Sequence, residues 1–152
     1  MKISIREIIF MARVADQAER FDDMLDFLIQ AIEAKDTDLT ADERNLLSVG
    51  FKNYISSART AWRTIEAIER SEKYKQFSGE CSRYKMRVLR ELEERCKHII
   101  SIIRDKILPK SNEIEARAFY LKMIGDYYRY IAENARGDTL IEASDNAIGY
   151  YL

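Results

Sequence analysis

The segment Phe119-Tyr-Leu-Lys-Met-Ile-Gly-Asp-Tyr-Tyr-Arg-Tyr-Ile-Ala-Glu133 is apolar and aromatic around most of a helical circumference. Such a pattern predicts a helix buried on nearly every side. Its charges break the pattern in an ordered way. At ~100° per residue, Lys122, Asp126, Arg129, Glu133 and Arg136 fall within about 40° of a single line along the helix axis. On a helix otherwise surrounded by apolar contacts, a polar line is placed in a groove or cavity more readily than on open surface.

The same period recurs on both sides of this segment. Ile5, Ile8, Ile9, Met11, Ala12 and Ala15 predict a first helix over 4–18, and Phe21, Met24, Leu25, Leu28, Ile29 and Ile32 a second over 21–35. Thr40 with Glu43 forms a capping box, which starts a third helix that runs to about residue 73 and carries Leu47, Phe51, Tyr54, Ile55, Ala58, Trp62, Ile65 and Ile68. Residues 73–79 read as a loop. A fourth long helix covers 80–108 and is stopped by Pro109, the fifth spans about 112–136 and ends at Gly137, and a sixth begins near Thr139. The expected architecture is all-α, an antiparallel bundle or array of long helices forming one domain over 1–152, with 1–75 and 80–152 as its two parts.

Composition supports this and narrows the function. The 152 residues include five Gly and one Pro, too few for the turns of an all-β fold or the Gly-rich loops of a doubly wound α/β fold. Twenty-five Lys+Arg against 26 Asp+Glu leave a net charge of −1, which removes the general attraction a nucleic-acid binder uses. No run approaches the ~20 apolar residues that span a bilayer, and the cations share helices with buried aromatics, unlike a membrane-surface helix. Neither nucleic acid nor membrane is expected as a partner. Cys81 and Cys96 lie fifteen positions apart on one predicted helix, roughly 22 Å at ~1.5 Å per residue, so they cannot pair there and read as reduced thiols.

Helix three repeats the device of helix five. Lys52, Ser56, Arg59, Arg63, Glu66 and Arg70 are spaced four, three, four, three and four, again one stripe. On its own this stripe reads as a solvated face. Together the two stripes gather seven basic and three acidic residues in a chain that is otherwise acidic. Arginine forks and a lysine converging from two helices suit a dianionic phosphate. Asp126 sits one turn from both Lys122 and Arg129, where it orients those cations, and Tyr130 adds a phenolic donor. No GxSxG, HExxH or P-loop motif is present, and the residue three before the single histidine, His98, is Arg95, so the ExxH spacing of di-iron bundles is absent. No enzyme, metal or cofactor is expected.

The blocks Ala18-Glu-Arg-Phe-Asp-Asp-Met, Glu43-Arg-Asn-Leu-Leu-Ser-Val-Gly-Phe-Lys-Asn, Arg59-Thr-Ala-Trp-Arg and Phe119-Tyr-Leu-Lys-Met-Ile-Gly-Asp-Tyr-Tyr-Arg-Tyr resemble 14-3-3 proteins, over a match from about residue 8 to the C-terminus. That family folds as nine antiparallel helices, dimerises through its N-terminal helices and binds phosphoserine or phosphothreonine segments of client proteins in an amphipathic groove. The resemblance implies a phosphate pocket of Lys52, Arg59, Arg129 and Tyr130, with Lys122 a further groove lysine and Asp126, Arg63 and Glu133 in support. Ser56-Ser-Ala-Arg stands where the family has Gly-Ala-Arg-Arg, so Ala58 replaces the first arginine while Arg59 is retained, and Ile124 replaces a lysine common beside the pocket. Five helices and part of a sixth imply a truncated 14-3-3-like fold, incomplete at the C-terminus.

The function so implied is a phosphopeptide-binding adapter in signal transduction, working as a dimer in the cytoplasm and also the nucleus, with phosphorylated clients and either a second copy of itself (a homodimer) or other 14-3-3 subunits as partners. The alternative is a module that only dimerises and holds ligand weakly or not at all. The resemblance places Val14, Ala18, Ala61, Ile65 and Tyr84 at the apolar part of the dimer interface, with Arg20 and Asp23 of one subunit facing Glu91 and Arg87 of the other.

Overall fold

The computed structural model describes residues 3–134 together with residues 146, 149 and 150. Five α-helices follow in order: α1 Ile5–Gln17, α2 Phe21–Ala34, α3 Ala41–Glu69, α4 Ser78–Ile102 and α5 Ile114–Asn134. No strand occurs among the described residues. Each helix packs on the next, α1 on α2, α2 on α3, α3 on α4 and α4 on α5. Short connections between long helices make such neighbours antiparallel.

Local chemistry sets each boundary. The Ser4 hydroxyl accepts the Glu7 backbone N–H at 3.2 Å and opens α1. Glu19, at φ 56°, takes the left-handed conformation that reverses the chain, and Arg20 N donates to the Ala15 carbonyl at 2.8 Å to close the turn. The capping box at α3 forms as the sequence predicts: Glu43 N donates to Thr40 Oγ1 at 3.2 Å and Thr40 N to Glu43 Oε1 at 2.8 Å. Gly50 lets α3 approach α2 closely, since a Cβ there would lie 2.5 Å from Leu28 Cδ1.

Two sequence expectations change. The stretch read as a loop over 73–79 is a 3₁₀ helix, Glu72–Phe77, that leads directly into α4. α4 does not continue regularly to Leu108; it widens into a π turn, Ile103–Ile107, followed by a 3₁₀ turn, Leu108–Lys110. Pro109 has no N–H to offer the ladder, and the wider turn keeps Ile102, Ile103, Ile107 and Leu108 all buried. α3 ends at Glu69 and α5 spans Ile114–Asn134, a few residues inside the expected limits. Arg136, the Gly137 cap and the expected start of a sixth helix near Thr139 lie outside the described residues. Asn146, Gly149 and Tyr150 are helical, and Tyr150 stacks on Tyr128 with ring centroids 5.7 Å apart.

The core is continuous from α1 to α5. Phe51, Ile55, Cys96, Ile99, Tyr120 and Ile124 are all buried in it. Cys96 and Cys81 are free thiols, the first buried and the second half-buried. Burial pushes the Cys96 thiol up to about 12, so it stays protonated.

Candidate phosphate-binding face

α3 and α5 bring part of the two polar stripes to one hollow. Between them lies a cavity of about 130 Å³ lined by Ser48, Lys52, Ile55, Arg59, Met123, Asp126, Tyr127 and Tyr130. The predicted Lys52, Arg59, Asp126 and Tyr130 thus share one hollow. Arg129 joins them through Tyr130. The Arg59 guanidinium lies 4.4 Å from the centroid of the Tyr130 ring and that of Arg129 5.4 Å from the same ring. Each contact attracts a cation to the electron-rich face of the phenol ring. One ring therefore gathers two guanidinium groups that would otherwise repel each other.

That ring is held in turn. Tyr127 meets Tyr130 edge-on at 5.6 Å, and Phe51 meets Tyr127 edge-on at 6.2 Å. Phe51 is fully buried and Tyr127 nearly so, so the column Phe51–Tyr127–Tyr130 runs from the core to the cavity. Burial, with the neighbouring Tyr130, Cys96 and Asp126, pushes the Tyr127 phenol well above its ordinary value. Tyr127 is neutral at physiological pH.

The charges of this face are legible in the sequence, and its aromatic column is not. Ser48, Ile55, Met123 and Tyr127 line the cavity without having been singled out. The available signal was the i, i+3 spacing of Tyr127 and Tyr130, which places both rings on one side of a helix. Lys122 is exposed and pairs with Asp126 at 3.2 Å, beside the cavity and outside its lining. Arg63 and Glu133 are exposed and do not line it. Farther along the α3 stripe, Arg70 pairs with Glu66 at 2.8 Å.

The residues assigned to the dimer face divide differently. Val14, Ala18, Tyr84 and Arg87 are exposed and Ala61 is half-buried, whereas Ile65 is already buried by the chain's own packing. Within one chain, Arg20 Nε donates to Asp23 Oδ2 at 2.9 Å. Glu91 pairs with Arg95 at 3.2 Å, and Arg95 also reaches Asp22 and the Tyr54 carbonyl and lies over the Tyr54 ring. These charges have partners inside the chain before any second copy arrives. Among the described residues no helix is long and apolar enough to cross a membrane, and no cluster of His, Cys, Asp or Glu could hold a metal ion.

A helical array with converging cations on its third and fifth helices is the arrangement expected of a 14-3-3 protein, and the comparisons agree. The family model described as 14-3-3 protein matches residues 11–152. The chain is 42% identical over 146 residues to 14-3-3 protein 7 of Solanum lycopersicum, covering 94% of this chain and 58% of that protein. It is 38% identical over 148 residues to the 14-3-3-like protein RA215 of Solanum tuberosum, covering 95% and 58%. With 14-3-3 protein zeta of Bombyx mori it shares 39% over 154 residues, covering 97% and 61%. The chain belongs to the 14-3-3 family. It spans about three-fifths of the length of these relatives.

Proposed function

We propose that this chain is a phosphoserine- or phosphothreonine-binding adapter and not an enzyme, and that its phosphate site is the α3–α5 face. The observation that carries this is the convergence of Arg59 and Arg129 on the ring of Tyr130 beside a hollow that Lys52 also lines. A cation–π contact uses the face of a guanidinium and spares its N–H edge, which is the edge that grips a phosphate bidentately. Lys52 supplies a point charge, and the Tyr130 hydroxyl a neutral donor. Asp126, paired to Lys122, limits the positive potential and orients that lysine.

The adapter works as a two-fold dimer in this reading, through α1 and α2 of one copy against α3 and α4 of the other. Val14, Ala18 and Tyr84 are exposed and apolar where such an interface would need them. The Arg20–Asp23 pair would be shared with Glu91 and Arg87 of the second copy, fixing register more than affinity.

Titration with a phosphoserine peptide beside its unphosphorylated twin tests the first part. Binding confined to the phosphorylated form is expected; equal affinity for both would refute it. Light scattering after size exclusion tests the second, where a clean monomer at tens of micromolar would exclude the dimer.

A further inference from the structure

α1 is an edge of the array, packed chiefly on α2. Its outer side carries two lines of exposed residues. Glu7, Met11, Val14 and Ala18, spaced four, three and four, include the two α1 residues on the apolar part of the proposed dimer face. Arg6, Phe10, Arg13 and Gln17 have the same spacing and lie roughly 100° farther round the helix. This second line has no role in that dimer or in the phosphate site.

Its chemistry alternates cation and ring. Phe10 is 63% exposed between the two arginines, and Ile3, just ahead of the Ser4 cap, is 60% exposed. Beside the line, between α1 and α2, an open hollow of about 600 Å³ has Ile3, Phe10, Met11 and Phe27 as its apolar wall, with Arg6 and Glu7 at the side. Arg6 and Arg13 are exposed, and neither has an ion pair, hydrogen bond or ring contact among the described residues. The acids of α1 lie off the line. Glu7 belongs to the other line, and Asp16 is half-buried on the far side, where Asn53 Nδ2 donates to it at 3.1 Å.

We infer that this line of α1 docks the protein peripherally on a bilayer containing anionic phospholipid. Protruding apolar side chains flanked by cations are what an interfacial helix offers a membrane. Phe10 and Ile3 enter the boundary between headgroups and acyl chains, and the hollow behind them receives the chains displaced there. Arg6 and Arg13, about 10 Å apart at ~1.5 Å per residue, lay their stems along this apolar surface and turn their guanidinium groups to headgroup phosphates. The complementarity is local, because the chain as a whole carries a net charge of −1.

The sequence argument against a membrane surface is that the cations share helices with buried aromatics. α1 is the exception, since its cations share a line with an exposed ring. A folded protein would have to bring two carboxylates in register with Arg6 and Arg13. A fluid bilayer brings phosphates to both without any register, and so fits two unpaired cations on either side of a protruding ring.

The test mixes the full chain with vesicles of phosphatidylcholine alone or of phosphatidylcholine with phosphatidylserine, and reads the bound fraction by flotation. Binding to the mixed vesicles is expected, and at least tenfold weaker binding to phosphatidylcholine alone. Phe10→Ser, and separately Arg6→Glu with Arg13→Glu, should each weaken binding to the mixed vesicles at least tenfold while thermal melts stay unchanged, because all three side chains are exposed. Arg90→Glu, which reverses an exposed cation on α4, should bind like the original chain. A saturating phosphoserine peptide should leave vesicle binding as it is, since its site is the α3–α5 face. Absence of binding to the mixed vesicles would overturn the inference and leave the line to a protein partner. Equal loss with Arg90→Glu would overturn it by making the attraction one of general charge, and displacement by the peptide would do so by moving the headgroups to Lys52, Arg59 and Arg129. The phosphopeptide reading stands or falls separately, on the peptide titration without vesicles.

Discussion

Two regions of this molecule are built from the same side chains and do opposite things with them. At the corner between α2 and α3, Lys35 pairs with Glu43 at 2.6 Å with both side chains more than four-fifths buried. Nearby, Asp38 Oδ1 accepts from the Tyr120 hydroxyl at 3.0 Å and from Leu39 N at 2.7 Å. Lys110 Nζ donates to the carbonyls of Ile32 and Lys35 at the end of α2, and Arg117 donates to those of Leu108 and Ser111. Lysine, arginine, tyrosine and carboxylate thus spend their hydrogen bonds on the chain itself. On the α3–α5 face the same residue types converge on an aromatic ring and a hollow. The first region is a joint between helices and the second the proposed site for an anion. In the joint the cations meet backbone carbonyls or a carboxylate, whereas on the face two of them, Arg59 and Arg129, lie over one phenol ring.

The comparison predicts that damage to the joint is read in stability and damage to the face in binding. The largest effect is expected for Tyr120→Ala, which removes a fully buried ring together with the donor to Asp38. Loss of a buried aromatic costs about 3–5 kcal/mol, and chemical denaturation should show the midpoint falling accordingly. Arg59→Ala and Arg129→Ala should each leave that midpoint within about 0.5 kcal/mol and instead weaken phosphopeptide binding by about 1.5–3 kcal/mol, the usual worth of a hydrogen bond to a charged group. Arginine variants that unfolded the protein while sparing binding would erase the distinction between the two regions.

The joint should also respond to acid. Burial tends to raise the Glu43 carboxyl, but the hydrogen bond from Lys35, the bonds from Thr40 and the charge of Lys35 outweigh it and hold the group below its ordinary 4.5. A carboxyl depressed in the folded state stabilises it above the unfolded value and loses that contribution as pH falls through the folded one. The contribution of Glu43 is therefore intact above about pH 4.5 and is lost on acidification below it. Comparing thermal melts of the original chain and Glu43→Gln between neutral pH and pH 3 checks this: the two curves should differ at neutral pH and converge in acid. A difference that stayed constant over the range would mean that the Lys35–Glu43 pair contributes nothing.

Most of the fold was legible in the sequence because its signals are local. Five helices followed from apolar spacing, and the start of α3 from Thr40 and Glu43 alone. At the π turn Ile103–Ile107 the cause is not local, since it keeps Ile102, Ile103, Ile107 and Leu108 all buried; the 3₁₀ segment Glu72–Phe77 buries none of its residues and has no apolar period to announce it. The candidate site was legible in its charges, since stripes at helical spacing give Lys52, Arg59, Asp126 and Arg129. Its aromatic column was not, because a buried Phe51 or Tyr127 looks the same in a sequence whether it fills a core or props up a binding ring. Likewise, periodicity placed Ile65 on an apolar face without telling whether its own chain or a second copy covers it.

The smallest expected effect is the most discriminating, because it changes one oxygen atom in each region. Tyr120→Phe keeps the buried ring and removes the hydrogen bond to Asp38, which retains Leu39 N as a donor, so stability should fall by about 0.5–1.5 kcal/mol with no change in peptide affinity. Tyr130→Phe keeps the ring on which Arg59 and Arg129 rest and removes only the phenolic donor. It should lower phosphopeptide affinity by about 0.5–1.5 kcal/mol with the denaturation midpoint unmoved. Tyr130→Leu then isolates the ring itself: two guanidinium groups lose their shared platform, each contact being worth ~0.5–1 kcal/mol, so affinity should drop beyond the phenylalanine variant. If leucine and phenylalanine at position 130 bind alike by calorimetry, the ring does not assemble the site, and the convergence of Arg59 and Arg129 must be held by other contacts of α3 and α5.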